Sequence, residues 1–150
     1  MKRQQPTGRL RPGQARATAA EASGSGAASG ESVRILLVED EAIIAIMVED
    51  MLTDLGCEVV GPAGSVAEAL RLAQSEDLAG AVLDVNVGGT NVYPVADVLA
   101  TRQIPFMFVS GYGPAGIEPR YVDTPVLTKP ILDADLARAV RNMRARSQRG

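Results

Sequence analysis

The chain has 150 residues, the length of one ordinary domain, and 46% of them are apolar, which is enough for a buried core. The single cysteine excludes an intrachain disulfide, and no apolar stretch approaches the roughly 20 residues that span a bilayer. These two observations lead us to expect a reduced, cytoplasmic protein that does not bind membranes. Residues 33–150 carry a net charge of −6, and a negative surface repels nucleic acid, so we expect no nucleic-acid binding.

The first 32 residues differ in composition from the rest of the chain. They carry a net charge of +3, are rich in Gly, Ala, Ser, Arg and Gln, and show no apolar period, which predicts a disordered tail. They also lack the apolar core of a secretory signal. We therefore predict a tail over residues 1–32, one folded domain over residues 33–146, and a short C-terminal tail over residues 147–150.

From residue 33 onward, strand-like and helix-like patterns alternate, which predicts an α/β fold: a doubly wound parallel sheet covered by helices on both faces. The apolar run at 34–38 is typical of a strand that is buried on both faces. A helix is predicted next, ending at Gly56. Its apolar residues at helical spacing are Ile43, Ile44, Met47, Val48, Met51, Leu52 and Leu55.

The remaining strands are predicted at residues 58–61, 79–85, 104–110 and 125–128. Helices are predicted at 65–74, opened by a capping box of Ser65 and Glu68, at 92–101, and at 133–146, capped by Asp133. Residues 111–124 contain three glycines and two prolines without an apolar period. They predict a loop or a short turn where a further helix would be due.

Polar side chains follow four of the five predicted strands. Glu39 and Asp40 come after the first strand, Asp84 ends the third, Ser110 ends the fourth, and Lys129 follows the fifth. In a doubly wound sheet these strand ends share the edge where ligands bind. Crowded carboxylates need a cation, and such an all-oxygen site suits Mg²⁺. An aspartate beside a lysine and a hydroxyl can then act as a nucleophile toward phosphorus.

Each of these residues also has an ordinary explanation on its own. Acids stabilise helix N-termini, an aspartate after a strand is commonly a turn residue, and a lone lysine is commonly solvated. The combination on four strand ends is much harder to obtain by chance, and it favours one shared site.

Residues 33–146 resemble the receiver domain of two-component response regulators. The resemblance rests on Glu39-Asp40-Glu41, on Asp84, on Ser110-Gly111 and on Lys129-Pro130. It implies a flavodoxin-like sheet of five strands in the order 2-1-3-4-5, with helix 4 short or absent in this chain, and Asp84 as phosphoacceptor. It also implies a Mg²⁺ site formed by Asp40, Asp84, the backbone carbonyl of Asn86 and, mostly through water, Glu39.

The resemblance gives further residues roles around the phosphoryl group. Ser110 would bond a phosphoryl oxygen, Lys129 would pair with the group, and the peptide bond to Pro130 would be cis, which proline makes inexpensive. Typical receivers carry an aromatic switch residue at the position of Val126. Aromatic switching at that position is therefore excluded here.

The segment Pro105-Phe106-Met107-Phe108-Val109-Ser110-Gly111-Tyr112-Gly113 resembles the FAT GUY subgroup of receivers. This resemblance implies a kinase of the HWE or a related type. Tyr112 is a candidate cover for the phosphorylated site, although a tyrosine with a solvated hydroxyl fits the sequence equally well. Gly88 and Gly89 predict a mobile loop beside Asp84.

We thus expect a stand-alone receiver with no output domain after residue 150, which acts as a switch or phosphate sink and is not an enzyme. We expect it to be a monomer or weak dimer, with a sensor histidine kinase and a downstream protein as partners. Two alternatives remain open. One is a Mg²⁺-dependent phosphohydrolase with an aspartate nucleophile, although Asn86 stands where such enzymes need an acid. The other is a degenerate receiver used only for protein binding.

Overall fold

Five parallel strands form the central sheet of the protein. The computed structural model describes residues 32–149, so the predicted tail over residues 1–32 lies outside the described residues except for Ser32. The strands of the chain are β1 (Val33–Val38), β2 (Cys57–Ala63), β3 (Gly80–Asp84), β4 (Asn86–Val87), β5 (Thr90–Asn91), β6 (Phe106–Ser110) and β7 (Val126–Thr128). The sheet has the order β2-β1-β3-β6-β7, and β4 and β5 form a separate hairpin. Counted within the sheet, this is the predicted order 2-1-3-4-5, which is confirmed.

Four α-helices connect or follow these strands. They are α1 (Ala42–Asp54), α2 (Val66–Ser75), α3 (Tyr93–Thr101) and α4 (Asp133–Arg149). Between β6 and β7, residues 111–125 contain only the short 3₁₀ turn Pro119–Tyr121, as the glycines and prolines of this segment predict. Helix α4 continues three residues beyond its predicted end, so the C-terminal tail predicted at residues 147–150 is helical through Arg149.

The sheet separates two apolar clusters. Leu36 and Val38 of β1 pack into the cluster that contains residues of α2 and α3. Ile35 and Leu37 pack into the cluster that contains residues of α1 and α4. Successive side chains of a strand point to opposite faces, so a strand covered on both sides needs a continuous apolar run. This requirement explains why β1 could be predicted from the sequence.

The helix boundaries agree with the local signals in most places. Ser65 Oγ accepts a hydrogen bond from the Glu68 backbone N–H at 3.1 Å, and Gly56 follows α1 with φ +83°. The prediction that Asp133 caps α4 was wrong by one residue. The Leu132 carbonyl accepts the first helical bond, from the Leu136 N–H. Asp133 is the first helical residue, where its charge still complements the helix dipole.

Helix α1 buries a narrower stripe than its apolar pattern predicts. Ala45, Val48 and Leu52 are buried, whereas Ile43 is 75% exposed and Met47 is 44% exposed. The helix packs on one face of the sheet, and a single contact covers only about a third of a helix surface. Of the helices in residues 32–149, none combines the length and the apolar character that crossing a membrane requires.

Candidate functional site

The residues that follow the strands meet at one edge of the sheet. Glu39 and Asp40 follow β1, Asp84 ends β3, Ser110 ends β6, and Lys129 follows β7. Because all five strands are parallel, their carboxyl ends lie at the same edge. Four of these side chains, those of Asp40, Asp84, Ser110 and Lys129, line one cavity of about 480 Å³.

Three carboxylates form an acidic cluster at this edge. One carboxylate oxygen from each of Glu39, Asp40 and Asp84 lies within 4.8 Å of the other two. Glu39 and Asp84 are buried, whereas Asp40 is exposed to solvent. The donor set consists only of oxygen atoms and is partly open to water, which is what Mg²⁺ prefers. The residues present therefore fit a magnesium ion.

Lys129 places a positive charge among the carboxylates. Its Nζ lies 3.0 Å from Asp84 Oδ2, 3.6 Å from Glu39 Oε1 and 3.7 Å from Glu41 Oε1. Burial lowers the pKa of Lys129, but the hydrogen bond to Asp84 and the three negative charges outweigh it and raise the pKa above its ordinary value. Lys129 is therefore an ammonium ion at neutral pH. The following peptide bond, to Pro130, is cis.

Glu39 is held in an environment that disfavours its charge. Burial raises the pKa of Glu39 to about 7, and the charge of Asp84 adds to the rise. The Glu41 backbone N–H, 3.0 Å from Glu39 Oε2, and the ammonium of Lys129 oppose the rise only in part. Glu39 thus changes charge near neutral pH in the absence of a metal ion.

This shift predicts that the metal-free protein loses stability as the pH rises from about 5 to about 7. In that range the unfolded chain releases the Glu39 proton near its ordinary pKa, while the folded chain still holds it. We expect a loss of roughly 1–2 kcal/mol, less than the full shift implies because solvent reaches the site. Urea unfolding in the presence of a chelator would measure it. A Glu39→Gln variant should lack this part of the pH dependence; equal pH profiles for variant and wild type would contradict the prediction.

Ser110 lines the cavity. Its Oγ accepts a hydrogen bond from the Tyr112 backbone N–H at 3.0 Å, and its carbonyl accepts one from the Lys129 N–H at 3.0 Å. The Tyr112 side chain is 86% exposed, so its ring does not cover the site in this structure. Val126 stands at the position where typical receivers carry an aromatic residue. It is partly buried and packs against the cluster of α2 and α3.

The segment after Asp84 forms the hairpin of β4 and β5, a regular structure that was not predicted there from the sequence. Gly88 and Gly89 form its two-residue turn with φ +59° and +82°, and the Gly88 N–H donates to Asp40 Oδ2 at 3.0 Å. Both this contact and the contact of Glu41 with Lys129 escaped the sequence reasoning. The Gly-Gly pair between short β-prone stretches is a hairpin signal that predicts the turn, but nothing local indicates its partner Asp40.

Comparison with known proteins places this site in context. No protein-family model matches the chain. The solution structure of SdrG from Sphingomonas melonis Fr1 is similar, with 41% identity, a TM-score of 0.67, and coverage of 75% of this chain and 96% of that chain. SdrG has also been solved in a BeF3-activated conformation, with 40% identity, a TM-score of 0.64, and coverage of 74% and 95%.

A second solved structure and a curated relative are also similar to this chain. The crystal structure of a response regulator receiver protein from Sinorhizobium medicae is 28% identical, with a TM-score of 0.67 and coverage of 78% of this chain and 98% of that chain. The phyllosphere-induced regulator PhyR of Methylorubrum extorquens is 32% identical over 88 residues, which are 57% of this chain and 33% of PhyR. The match thus spans about a third of the length of that curated relative.

Proposed function

The chain belongs to the receiver family of response regulators, and we propose that it accepts a phosphoryl group on Asp84 from a sensor histidine kinase in a Mg²⁺-dependent reaction. The observation that carries this proposal is the position of Asp84. Its Oδ2 lies 3.0 Å from the Lys129 ammonium, and its oxygen atoms share one cluster with those of Glu39 and Asp40.

Four residues are proposed to hold the magnesium ion. Asp40 and Asp84 would bind it directly, and Glu39 mostly through water. The hairpin geometry supports the backbone carbonyl of Asn86 as the fourth ligand. Val87 and Thr90 flank the two-residue turn, so the next pair, Asn86 and Asn91, is the one without ladder hydrogen bonds. When bound, the ion would offset the negative charge of the phosphoryl oxygens.

The transfer itself needs a lone pair on an Asp84 oxygen that can attack phosphorus. Asp84 Oδ1 accepts a hydrogen bond from the Asn86 N–H at 3.3 Å, and Oδ2 faces Lys129. In the proposed step an Asp84 oxygen forms a bond to phosphorus as the bond from phosphorus to the kinase histidine nitrogen breaks, and the histidine keeps the electron pair. Lys129 and the Ser110 hydroxyl would then bind two of the phosphoryl oxygens.

The biological role that we propose is a cytoplasmic switch or phosphate sink in a phosphorelay. Phosphorylation replaces the single charge of the Asp84 carboxylate with a phosphoryl group that carries about two negative charges and three acceptor oxygens, which is enough to bias nearby segments between two arrangements. Support comes from SdrG, which adopts a BeF3-activated conformation. We further propose a kinase of the HWE type, a downstream protein partner, membership in the FAT GUY subgroup, and a monomer or weak dimer as the working form.

The proposal predicts that acetyl phosphate labels the wild-type protein only when Mg²⁺ is present, and that an Asp84→Asn variant is not labelled. Asparagine is nearly the same size but a much poorer nucleophile. Mass spectrometry of the intact protein measures the labelling, and Asp133→Asn, which removes an exposed acid on α4, is the matched control. A labelled Asp84→Asn variant, or a wild type that stays unlabelled with Mg²⁺, would refute the assignment.

A further inference from the structure

The connection between β6 and β7, residues 111–125, is attached to the protein at two places. The first attachment is at the candidate site, where Ser110 Oγ accepts a hydrogen bond from the Tyr112 N–H at 3.0 Å. The second lies about ten residues further along, where the connection packs on α3. How far the residues between the two attachments can move depends on how strongly each attachment holds.

The ring of Tyr121 forms the core of the second attachment. It stacks on Tyr93 of α3, with 5.9 Å between ring centroids, and meets Phe106 and Phe108 of β6 edge to face at 5.6 Å each. The Tyr93 hydroxyl also accepts a hydrogen bond from the Glu118 backbone N–H at 3.1 Å and donates one to the Gly116 carbonyl at 3.4 Å. The connection therefore contributes an aromatic side chain to the core of the domain.

One carboxylate on α3 collects the polar contacts of this attachment. Asp97 Oδ1 accepts a hydrogen bond from the Tyr121 hydroxyl and lies 2.7 Å from Arg120 Nη1. The Arg120 guanidinium lies over the Tyr121 ring, 4.9 Å from its centroid, and also bonds to Glu118. Half-exposed ion pairs of this kind contribute little one at a time. Their convergence on Asp97 ties two neighbouring residues of the connection to a single side chain.

The stretch between the two attachments is built differently. Gly113 and Gly116 have φ values of +62° and +87°, which other residues rarely adopt. Of residues 111–115, all but Gly113 are exposed. Few buried contacts and permissive glycines are the features of a segment that moves at low cost.

We propose that Asp97 fastens the far end of the connection to α3 and so confines phosphorylation-dependent movement to residues 111–115. Residues 116–124 then stay in place when the site changes state. The contacts of Asp97 with Arg120 and Tyr121 are part of the fold whether or not Asp84 is phosphorylated. Only their role in limiting the movement of the connection rests on the proposed function.

The fastening is tested first without any phosphoryl group, by amide hydrogen exchange of the full chain. In Asp97→Ala, the amides of Glu118, Tyr121, Val122 and Thr124, which are hydrogen-bonded in the structure, should exchange at least about tenfold faster than in the wild type. The matched control is Asp123→Asn, which removes an exposed acid on the same connection that makes none of these contacts, and it should exchange like the wild type. Unchanged exchange in Asp97→Ala would overturn the proposal.

A second readout separates loss of the fastening from general loosening. Burial raises the pKa of Tyr121 to about 12, and its hydrogen bond to Asp97 adds to the rise. In Asp97→Ala the tyrosinate absorbance that Tyr121→Phe removes should therefore appear at lower pH, while the far-UV circular dichroism at neutral pH stays that of the wild type. A tyrosinate signal at the wild-type pH would mean that Asp97 does not hold Tyr121.

The confinement is tested by adding beryllofluoride, a phosphoryl mimic, with Mg²⁺. Exchange rates in the wild-type connection should change only within residues 111–115, and in Asp97→Ala the change should extend through residue 124. A change across residues 116–124 of the wild type would overturn the proposal. If beryllofluoride and acetyl phosphate both fail to modify the wild type, the proposed function fails, and the measurements on the unmodified protein still decide whether Asp97 is the fastening point.

Discussion

A Lys129→Met variant is expected to accept phosphoryl groups from acetyl phosphate at least about 100-fold more slowly than the wild type, the usual cost of removing one aligned charge from a transfer site. Lys129 Nζ is within 3.0–3.7 Å of three carboxylates, so its removal leaves Asp84, Glu39 and Glu41 without their shared protein cation. The flexible apolar methionine keeps much of the length of the side chain and removes only the ammonium. Time-resolved intact-mass measurement at saturating Mg²⁺ gives the rate.

The control for this variant is Arg138→Met, which removes a cation from α4 whose partner is the neighbouring Asp135. It should be labelled at the wild-type rate, since it lies outside the cavity. Lys129→Arg should fall between the two, because it keeps the charge but replaces a compact ammonium with a larger planar group. A Lys129→Met rate within about twofold of wild type would show that this ammonium does not take part in the transfer.

A Phe108→Ala variant should lose about 3–5 kcal/mol of unfolding free energy, the range observed when a buried phenylalanine is truncated. Phe108 is fully buried and lies at the centre of the aromatic cluster, with its ring 5.6–5.7 Å from those of Tyr93, Phe106 and Tyr121. Truncation leaves a cavity that the stiff sheet cannot close. Urea unfolding at a fixed pH measures the loss.

Tyr112→Ala provides the comparison, because that side chain is 86% exposed and leaves no cavity. Its unfolding free energy should stay within about 0.5 kcal/mol of the wild-type value. A loss below about 1 kcal/mol in Phe108→Ala would mean that the aromatic cluster is not packed as the structure shows. Since the same ring contacts Tyr121, the Phe108 variant should also weaken the attachment of residues 117–121 to α3.

The alternative functions place different demands on the same residues. A phosphohydrolase of the kind considered above needs an acid two residues after the nucleophile, and this position holds Asn86, whose side-chain oxygen accepts a hydrogen bond from the Gly89 N–H. Asn86 thus serves the hairpin turn. A degenerate receiver would lack part of the acidic cluster, the hydroxyl or the lysine, and all of them line this edge of the sheet.

Much of the fold could be predicted from the sequence because it depends on local patterns. The buried strands β1, β3 and β6 read as apolar runs, the Ser65 cap and Gly56 mark helix ends, and the missing α-helix in residues 111–125 follows from glycines and prolines. The position of Glu39, Asp40, Asp84, Ser110 and Lys129 at one edge follows from the geometry of parallel strands. No distant contact had to be known for these predictions.

The chain alone therefore determined the sheet, its order within the recognised family, and the residues of the candidate site. The tertiary structure decided which partners those residues find: Gly88 for Asp40, Glu41 for Lys129, and Asp97 for Arg120 and Tyr121. It also decided which apolar residues of α1 face solvent. The physical reason is that local patterns follow from backbone geometry, whereas these contacts join residues 23 or more positions apart, and only the packed sheet brings them within bonding distance.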